Sequence, residues 1–250
     1  MNTATGTTPP GTSNEQEAAR WVERMFASIA PRYDCVNHLL SFNIDRQWRR
    51  RLMKRLSPIL KKPNAKILDL CCGTGDVLFE LQRQAVLPVL GADFCHPMLL
   101  TAQAKAAQKG LTTPLFEADA LALPIADHVF DVISIAFGLR NLANYETGLR
   151  ELHRVLKPGG MLAILEFSHP TEPIIKAAYG LYSRVLLPMI GSLMSGAPGA
   201  YAYLPESIRK FPAASELRGM MNTAGFLETR FELLTGGIAA LHIGSASGSA

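Results

Sequence analysis

The sequence predicts an α/β protein with one domain built on a mostly parallel sheet. Three observations predict it. Short apolar runs alternate with helical periodicities between residues 66 and 166, which is the rhythm of βαβ units. A glycine turn, Gly73-Thr74-Gly75, lies between the first apolar run and the first helix of that series. The chain has 250 residues, 48% apolar and 18% charged, which fills a sizeable core and excludes intrinsic disorder, collagen and coiled coil.

The elements follow in order. Residues 1–17 are polar and predict a mobile lead, with no basic start or apolar run to make a secretory signal. Residues 18–30 carry apolar positions 22, 25, 26 and 29 at helical spacing. After the mixed stretch 31–43, a basic helix runs from Asp45, its expected N-cap, to Leu60. The strands are expected at 66–70, 88–92, 114–116, 130–136 and 161–166. Helices 76–84, 97–109 and 144–156 lie between them, the last stopped by Lys157–Gly160. Beyond 166 the alternation ends, and apolar, aromatic residues 171–211 predict a helical cap. A helix at 213–224 and a hairpin about Thr235-Gly236-Gly237 close the fold, with strands 226–234 and 238–243. The domain therefore spans 18–244, with an amino-terminal helical segment at 18–62 and a flexible tail at 245–250.

Composition limits the function. The four cysteines, Cys35, Cys71, Cys72 and Cys95, form no C-x-x-C pair, so neither a zinc cluster nor a disulfide framework is expected, and a reducing compartment suits them. No run reaches the roughly 20 apolar residues of a membrane span. The most apolar run, Val185–Met194, is broken by Pro188 and Gly191, and mean hydropathy is +0.12. Net charge is +4, and from Arg46 to Lys66 there are nine Lys/Arg and no acid. Three readings stand for that stretch: a solvated helix face, attraction to an anionic membrane, or nucleic-acid binding.

The glycine turn carries the chemistry. In Asp69-Leu70-Cys71-Cys72-Gly73-Thr74-Gly75-Asp76, a strand passes into a helix N-terminus, whose free N–H groups and partial positive charge favour a ligand. The dinucleotide pattern G-x-G-x-x-G fails at Leu78, and Asp76 would repel a pyrophosphate. Asp69 and Asp76 suit a cationic ligand instead. Asp93, twenty residues after Gly73, ends the second strand where an acid accepts from ribose hydroxyls. Glu117-Ala118-Asp119-Ala120 follows the third strand, where an adenine is expected.

In this order and spacing, DLCCGTGD, GADF, EADALALP, FDVISIAFGLRN and LHRVLKPGG resemble the class I S-adenosylmethionine-dependent methyltransferases. More narrowly, the chain resembles the C-methyltransferases of menaquinone and ubiquinone biosynthesis. Tyr33-Asp34-x-x-Asn37, Leu40-Ser41-Phe42, Trp48-Arg49, Phe137–Asn141, Leu165–Ser168, Glu206-Ser207-Ile208, Ala224-Gly225-Phe226 and Thr235–His242 carry that resemblance over residues 22–244. It implies a seven-stranded, Rossmann-like sheet and S-adenosylmethionine as cofactor. Asp69, Gly73, Thr74, Gly75, Asp93, Asp119, Ala120 and Ala136 are the implied contacts. Ala136 stands where the family often has serine, and Asp119 where it often has asparagine.

The resemblance further implies methyl transfer to a ring carbon of a polyprenyl-quinol, most simply demethylmenaquinol, or a ubiquinone precursor. Deprotonating the adjacent hydroxyl makes that carbon more nucleophilic, and in-line alignment supplies much of the rate. Arg140 and Asn141 follow the fourth strand and would face the reacting groups, Arg140 to stabilise a phenolate or hold a water. Tyr33 matches a family tyrosine. Salt-bridge and core-packing roles stay open for Arg140 and Tyr33, and a structural role is expected for His242. Residues 174–204, with Tyr179, Tyr182, Leu186, Leu187, Met189, Leu193, Met194, Tyr201 and Tyr203, would form a prenyl groove or an ordinary cap. The implied partners are the quinol, a membrane surface, and a second copy or a quinone-biosynthesis complex. The implied location is cytoplasmic, peripheral at the inner face of the membrane. No metal and no nucleic acid is expected. Rival readings are methylation of another lipophilic acceptor, a non-catalytic cofactor-binding subunit, and a nucleic-acid methyltransferase, for which no Asn-Pro-Pro-Tyr or Pro-Cys signature is present.

Overall fold

A computed structural model describes residues 5–30, 33–34, 41, 43–173, 175–176, 180 and 198–248. Seven strands form one sheet: β1 (Ile67–Leu70), β2 (Leu90–Asp93), β3 (Leu115–Glu117), β4 (Phe130–Ala136), β5 (Leu156–Phe167), β6 (Phe226–Leu234) and β7 (Ala239–Ala246). Their order is β3-β2-β1-β4-β5-β7-β6. β1 to β5 pair in parallel, and β7 runs antiparallel to both β5 and β6.

Period-2 alternation sends each strand's side chains to two cores. Leu68, Leu70, Ile133, Ile135, Leu162 and Ile164 face α5 (Tyr145–Val155) and α7 (Ala214–Thr223). Ile67, Val132, Ala163 and Leu165 face the opposite layer, where α2 (Asp45–Leu60), α3 (Asp76–Gln82) and α4 (His96–Gln108) pack. Asp69 and Ser134 occupy register partners on β1 and β4. α1 (Glu15–Ile29) is capped by the Asn14 side chain, which accepts from the Glu17 N–H, while the Glu17 carboxylate accepts from the Ser13 N–H. α6 (Pro198–Lys210) lies within the expected cap. The groove residues Tyr179, Tyr182, Leu186, Leu187, Met189, Leu193 and Met194 lie outside the described residues, as do Cys35, Asn37, Leu40 and Phe42.

Four expectations are corrected. The lead is packed from Thr5 onward: the Thr7 N–H donates to the Leu142 carbonyl at 2.8 Å, and the Tyr145 N–H to the Thr5 carbonyl at 2.7 Å. A polar composition reads as mobile unless the backbone finds partners elsewhere, and here it finds them. The tail is strand to Ala246, because β7 continues against β5 and Ser247 donates to Gly225. Asp45 is the first helical residue and Ile44 the cap; the Asp45 carboxylate is taken by Arg49 and the Ser41 hydroxyl. Lys157–Gly160 falls inside the span of β5, after α5 has ended at Val155.

The basic stretch divides into two sets. Arg49 is buried and pairs with Asp45 and Asp76, while Arg51 and Arg55 both pair with Glu232 on β6. Arg46, Arg50, Lys54, Lys61, Lys62 and Lys66 are exposed and take part in no ion pair among the described residues.

Candidate active site

The strand order reverses between β1 and β4, and ligands of open parallel sheets sit beyond the carboxyl ends at such a switch. A cleft of about 430 Å³ opens there. Leu70, Cys71 and Gly73 line it after β1, Asp93 and Phe94 at β2, Asp119 and Ala120 after β3, and Ala136, Phe137, Gly138 and Asn141 from the end of β4 onward. α1 contributes Arg20, Glu23 and Phe26, and Tyr33 completes this side, its ring edge-on to Phe26 at 5.9 Å.

The turn from β1 into α3 requires glycine at 75. Its φ is +88°, and a Cβ there would lie 2.6 Å from the Phe79 ring. Cys71 adopts φ +55° without being glycine, a strained conformation held by the surrounding packing. Burial pushes the Cys71 and Cys72 thiols well above their ordinary range, so neither is a nucleophile at neutral pH.

Two acids define the electrostatics. Asp93 accepts from the Gly73 N–H at 2.8 Å and the Cys95 N–H at 2.9 Å, and burial still pushes its pKa up to about 6. Asp69 lies behind the cleft lining. Burial pushes it up to about 7, against the hydrogen bond from Ser134 at 2.7 Å, and nearby Asp93 adds to the rise. The second oxygen of Asp69, Oδ2, has no partner, and neither acid takes part in an ion pair among the described residues.

Arg140 is not on the lining. It is 5% exposed, and its Nη1 donates to Glu166 at 2.9 Å and to the Phe137 carbonyl. Its backbone N–H donates to the other Glu166 oxygen at 3.2 Å, and its guanidinium stacks 5.2 Å from the Phe167 ring. The neighbouring Asn141 does reach the cleft. Its Oδ1 accepts from the Tyr203 hydroxyl at 3.0 Å, and its Nδ2 donates to Phe137 at 3.4 Å. An amide nitrogen carries two donors, so one N–H is left for a ligand.

Thr74 and Gly75 also lie off the lining. The Thr74 hydroxyl donates to Asp34, and Lys105 binds Asp34 at 2.6 Å and Asp76 at 2.8 Å. This network ties the segment carrying Tyr33 to the start of α3. The structure thus brings Gly73, Asp93, Asp119, Ala120, Ala136, Asn141 and Tyr33 together, and places Asp69, Thr74, Gly75 and Arg140 behind them. His242 is buried, bonded to the Ala214 carbonyl at 2.9 Å and far from ionising, with burial pulling its pKa down to about 4.

The residues fit S-adenosylmethionine. The ligand is cationic, and two buried acids, Asp93 on the lining and Asp69 behind it, have no ion-pair partner among the described residues, Asp69 with one oxygen unbonded. Sequence reasoning missed Glu166 and Tyr203 as parts of the site. A carboxylate ending the apolar run Met161–Leu165 was the available signal for Glu166, since an acid is rarely fully buried unless paired. The sequence puts Tyr203 in a prenyl groove or an ordinary cap, and nothing local pairs it with Asn141.

This sheet order, with its single reversed strand and its cleft at the switch, is that of the class I methyltransferase fold. Solved structures share it. A SAM-dependent methyltransferase from Aquifex aeolicus superposes with a TM-score of 0.57 at 21% identity, over 77% of this chain and 88% of that one. A putative methyltransferase from Bacillus halodurans gives 0.57 at 17% identity, over 78% and 98%. The chain belongs to the ubiE/COQ5 methyltransferase family, whose model matches residues 12–246. Among curated relatives, the demethylmenaquinone methyltransferase of Thermus thermophilus is 51% identical over 88% of this chain and 99% of that protein. The demethylmenaquinone methyltransferase of Deinococcus radiodurans is 44% identical over 94% and 96%.

Proposed function

We propose that this methyltransferase transfers a methyl group from S-adenosylmethionine to a ring carbon of demethylmenaquinol. The observation that carries the reading is the cleft itself, with buried, uncompensated acids at one end and Asn141 backed by the Arg140–Glu166 pair at the other. The names of the relatives from Thermus and Deinococcus support the naphthoquinol as acceptor.

When bound, S-adenosylmethionine supplies an electrophilic methyl on a positively charged sulfur. Asp93 would accept from the ribose hydroxyls, and its ionised form would do so best. Asp69 contributes negative potential beneath the turn. Asp119, whose carboxylate is fixed by the Leu121 N–H at 2.9 Å, and Ala120 line the cleft and would border the adenine. Ala136 offers no polar contact where serine would. At the acceptor end, Asn141 donates to the hydroxyl oxygen beside the reacting carbon. Arg140, its charge fixed by Glu166, favours the phenolate as that hydroxyl gives its proton to water. Tyr33 lines the cleft beside Phe26. Transfer would break the sulfur–methyl bond and leave neutral S-adenosylhomocysteine; the methylated ring carbon would then release its own hydrogen to water as a proton, restoring aromaticity, and the phenolate would take a proton back.

The acceptor's prenyl tail resides in the bilayer, and no described helix is long and apolar enough to cross a membrane. We place the chain at the membrane's cytoplasmic surface, held by peripheral contact, with the exposed Arg46, Arg50 and Lys54 facing anionic lipid. The test is methyl transfer from labelled S-adenosylmethionine to demethylmenaquinol and to a demethylated benzoquinol, side by side. Preferred transfer to the naphthoquinol is expected. Tight cofactor binding with no transfer to either would overturn the reading.

A further inference from the structure

The amino-terminal strap and the cap helix meet at the cleft's amide. The strap lies flat on the chain just after Asn141: a Cβ on Gly6 would stand 1.8 Å from the Ala143 carbonyl oxygen, so only glycine permits the approach. Backbone bonds from Thr7 to Leu142 and from Tyr145 to Thr5 hold it there. From this position the Thr7 hydroxyl reaches the Tyr203 hydroxyl at 2.7 Å, and both residues are buried. Lys210 ties the same strap to α6, donating to the Thr8 carbonyl at 3.2 Å and to its hydroxyl at 3.0 Å.

Donor counting gives this chain a direction. The Asn141 Oδ1 can only accept, so the single phenolic hydrogen of Tyr203 goes to it. The Tyr203 oxygen must then accept from Thr7. The order is Thr7 to Tyr203 to Asn141, and Asn141 in turn donates to Phe137. Trp21 packs against the Tyr203 ring at 5.1 Å between centroids, so the phenol has little room to turn away. Tyr145, whose N–H the strap accepts, donates its hydroxyl to the Arg140 carbonyl at 3.2 Å. The strap is thus coupled to Arg140 and Asn141, two of the three residues of the turn at Leu139–Asn141.

We infer that Thr7 and Tyr203 are positioning residues, and that the amino-terminal strap sets the orientation of the Asn141 amide in the cleft. The inference rests on the methyltransferase reading for what Asn141 does with the acceptor. Loosening the relay leaves the cofactor end of the cleft intact, so the loss falls on turnover.

The experiment compares the full-length protein with Thr7→Val, Thr7→Ser, Tyr203→Phe and the Thr7→Val/Tyr203→Phe double variant. Methyl transfer to demethylmenaquinol gives kcat and KM, calorimetry gives the S-adenosylmethionine Kd, and thermal melts confirm folding. Thr7→Val should lose about tenfold in kcat, with the cofactor Kd unchanged within about twofold; Thr7→Ser should recover it. The double variant should be no worse than Tyr203→Phe alone, because both act through one chain of bonds. A Thr7→Val kcat within twofold of wild type, a parallel loss of cofactor affinity, or multiplicative losses in the double variant would overturn the inference. The Asn141 side-chain amide resonances supply a readout independent of turnover: they should shift in Thr7→Val and return in Thr7→Ser. If the wild type transfers no methyl to either quinol, the functional reading fails while these resonances still decide the relay.

Discussion

Replacing Glu166 by Leu leaves the Arg140 guanidinium as a buried charge with no counter-ion. Three donors converge on this carboxylate: Arg140 Nη1 at 2.9 Å, the Phe167 N–H at 2.8 Å and the Arg140 N–H at 3.2 Å. The glutamate side chain is 1% exposed and the arginine 6%, so solvent screens neither. Removing one partner of such a pair costs about 3–5 kcal/mol. A chain of this length loses about 2–4 °C of melting temperature per kcal/mol, so the melt should fall by about 10 °C. Arg140→Met/Glu166→Leu removes both charges and should recover most of that loss, because a well-packed apolar pair often matches a buried ion pair. Urea unfolding of wild type, both single variants and the double variant measures the coupling. The double variant should remain deficient in methyl transfer although it is stable, which separates the pair's role at the cleft from any role in holding the fold. A Glu166→Leu protein within about 1 kcal/mol of wild type, or a double variant as unstable as the sum of the singles, would refute the reasoning.

Asp93→Ala should weaken S-adenosylmethionine binding by about 1.5–3 kcal/mol in calorimetry, the scale of hydrogen bonds to a charged group. With Asp93 titrating at about 6, wild-type affinity should fall as pH drops through 6, since the protonated acid accepts poorly; the alanine variant should lose this dependence, and an unchanged profile would remove Asp93 from the ribose. His242 is held near 4, below its ordinary value, so its neutral form supports stability above about pH 6.5 and that support is lost as pH falls toward 4. Comparing His242→Gln with wild type from pH 7 to pH 4 should show wild type losing about 3 kcal/mol more, and equal slopes would contradict this. Changing Arg46, Arg50 and Lys54 to Gln should cut binding to anionic vesicles by about 1 kcal/mol per cation, with a salt dependence that shrinks in step. Binding that ignores both salt and substitution would discard electrostatic docking.

The sheet was legible because parallel strands buried on both faces write continuous apolar runs, as in Phe130–Ala136, and because glycine and acid positions mark the strand ends. Gly73, Asp93 and Asn141 were legible for the same reason: each sits next to the end of a strand or turn that periodicity locates. The amino-terminal packing was not legible. Thr5–Thr8 carries no periodicity, and its bonds go to residues about 135 or more positions away, which local sequence does not record. Of the two roles the sequence leaves open for Arg140, facing the reacting groups or forming a salt bridge, the structure shows the ion pair, with the side chain behind the lining. Its direction depends on Glu166, 26 residues later, and a pairing across strands is visible only once the register between β4 and β5 is known. The basic helix misled in a similar way, since the acids that neutralise Arg49, Arg51 and Arg55 include Asp76 and Glu232 from other elements.

The placement of β7 sets an order of assembly. Synthesised last of the strands, it lies between β5 and β6, with Met161 to Phe167 paired against Ser245 to Ala239. As the polypeptide leaves the ribosome, β5 is therefore an open edge with its hydrogen-bonding groups facing water until residue 246 has emerged. β6 has no place in the sheet before then, because its ladder is made only with β7. The nascent chain thus passes through a five-stranded stage that offers an apolar edge to other chains. A ribosome stalled before Ala239 would release that stage as a substrate for chaperones and proteases.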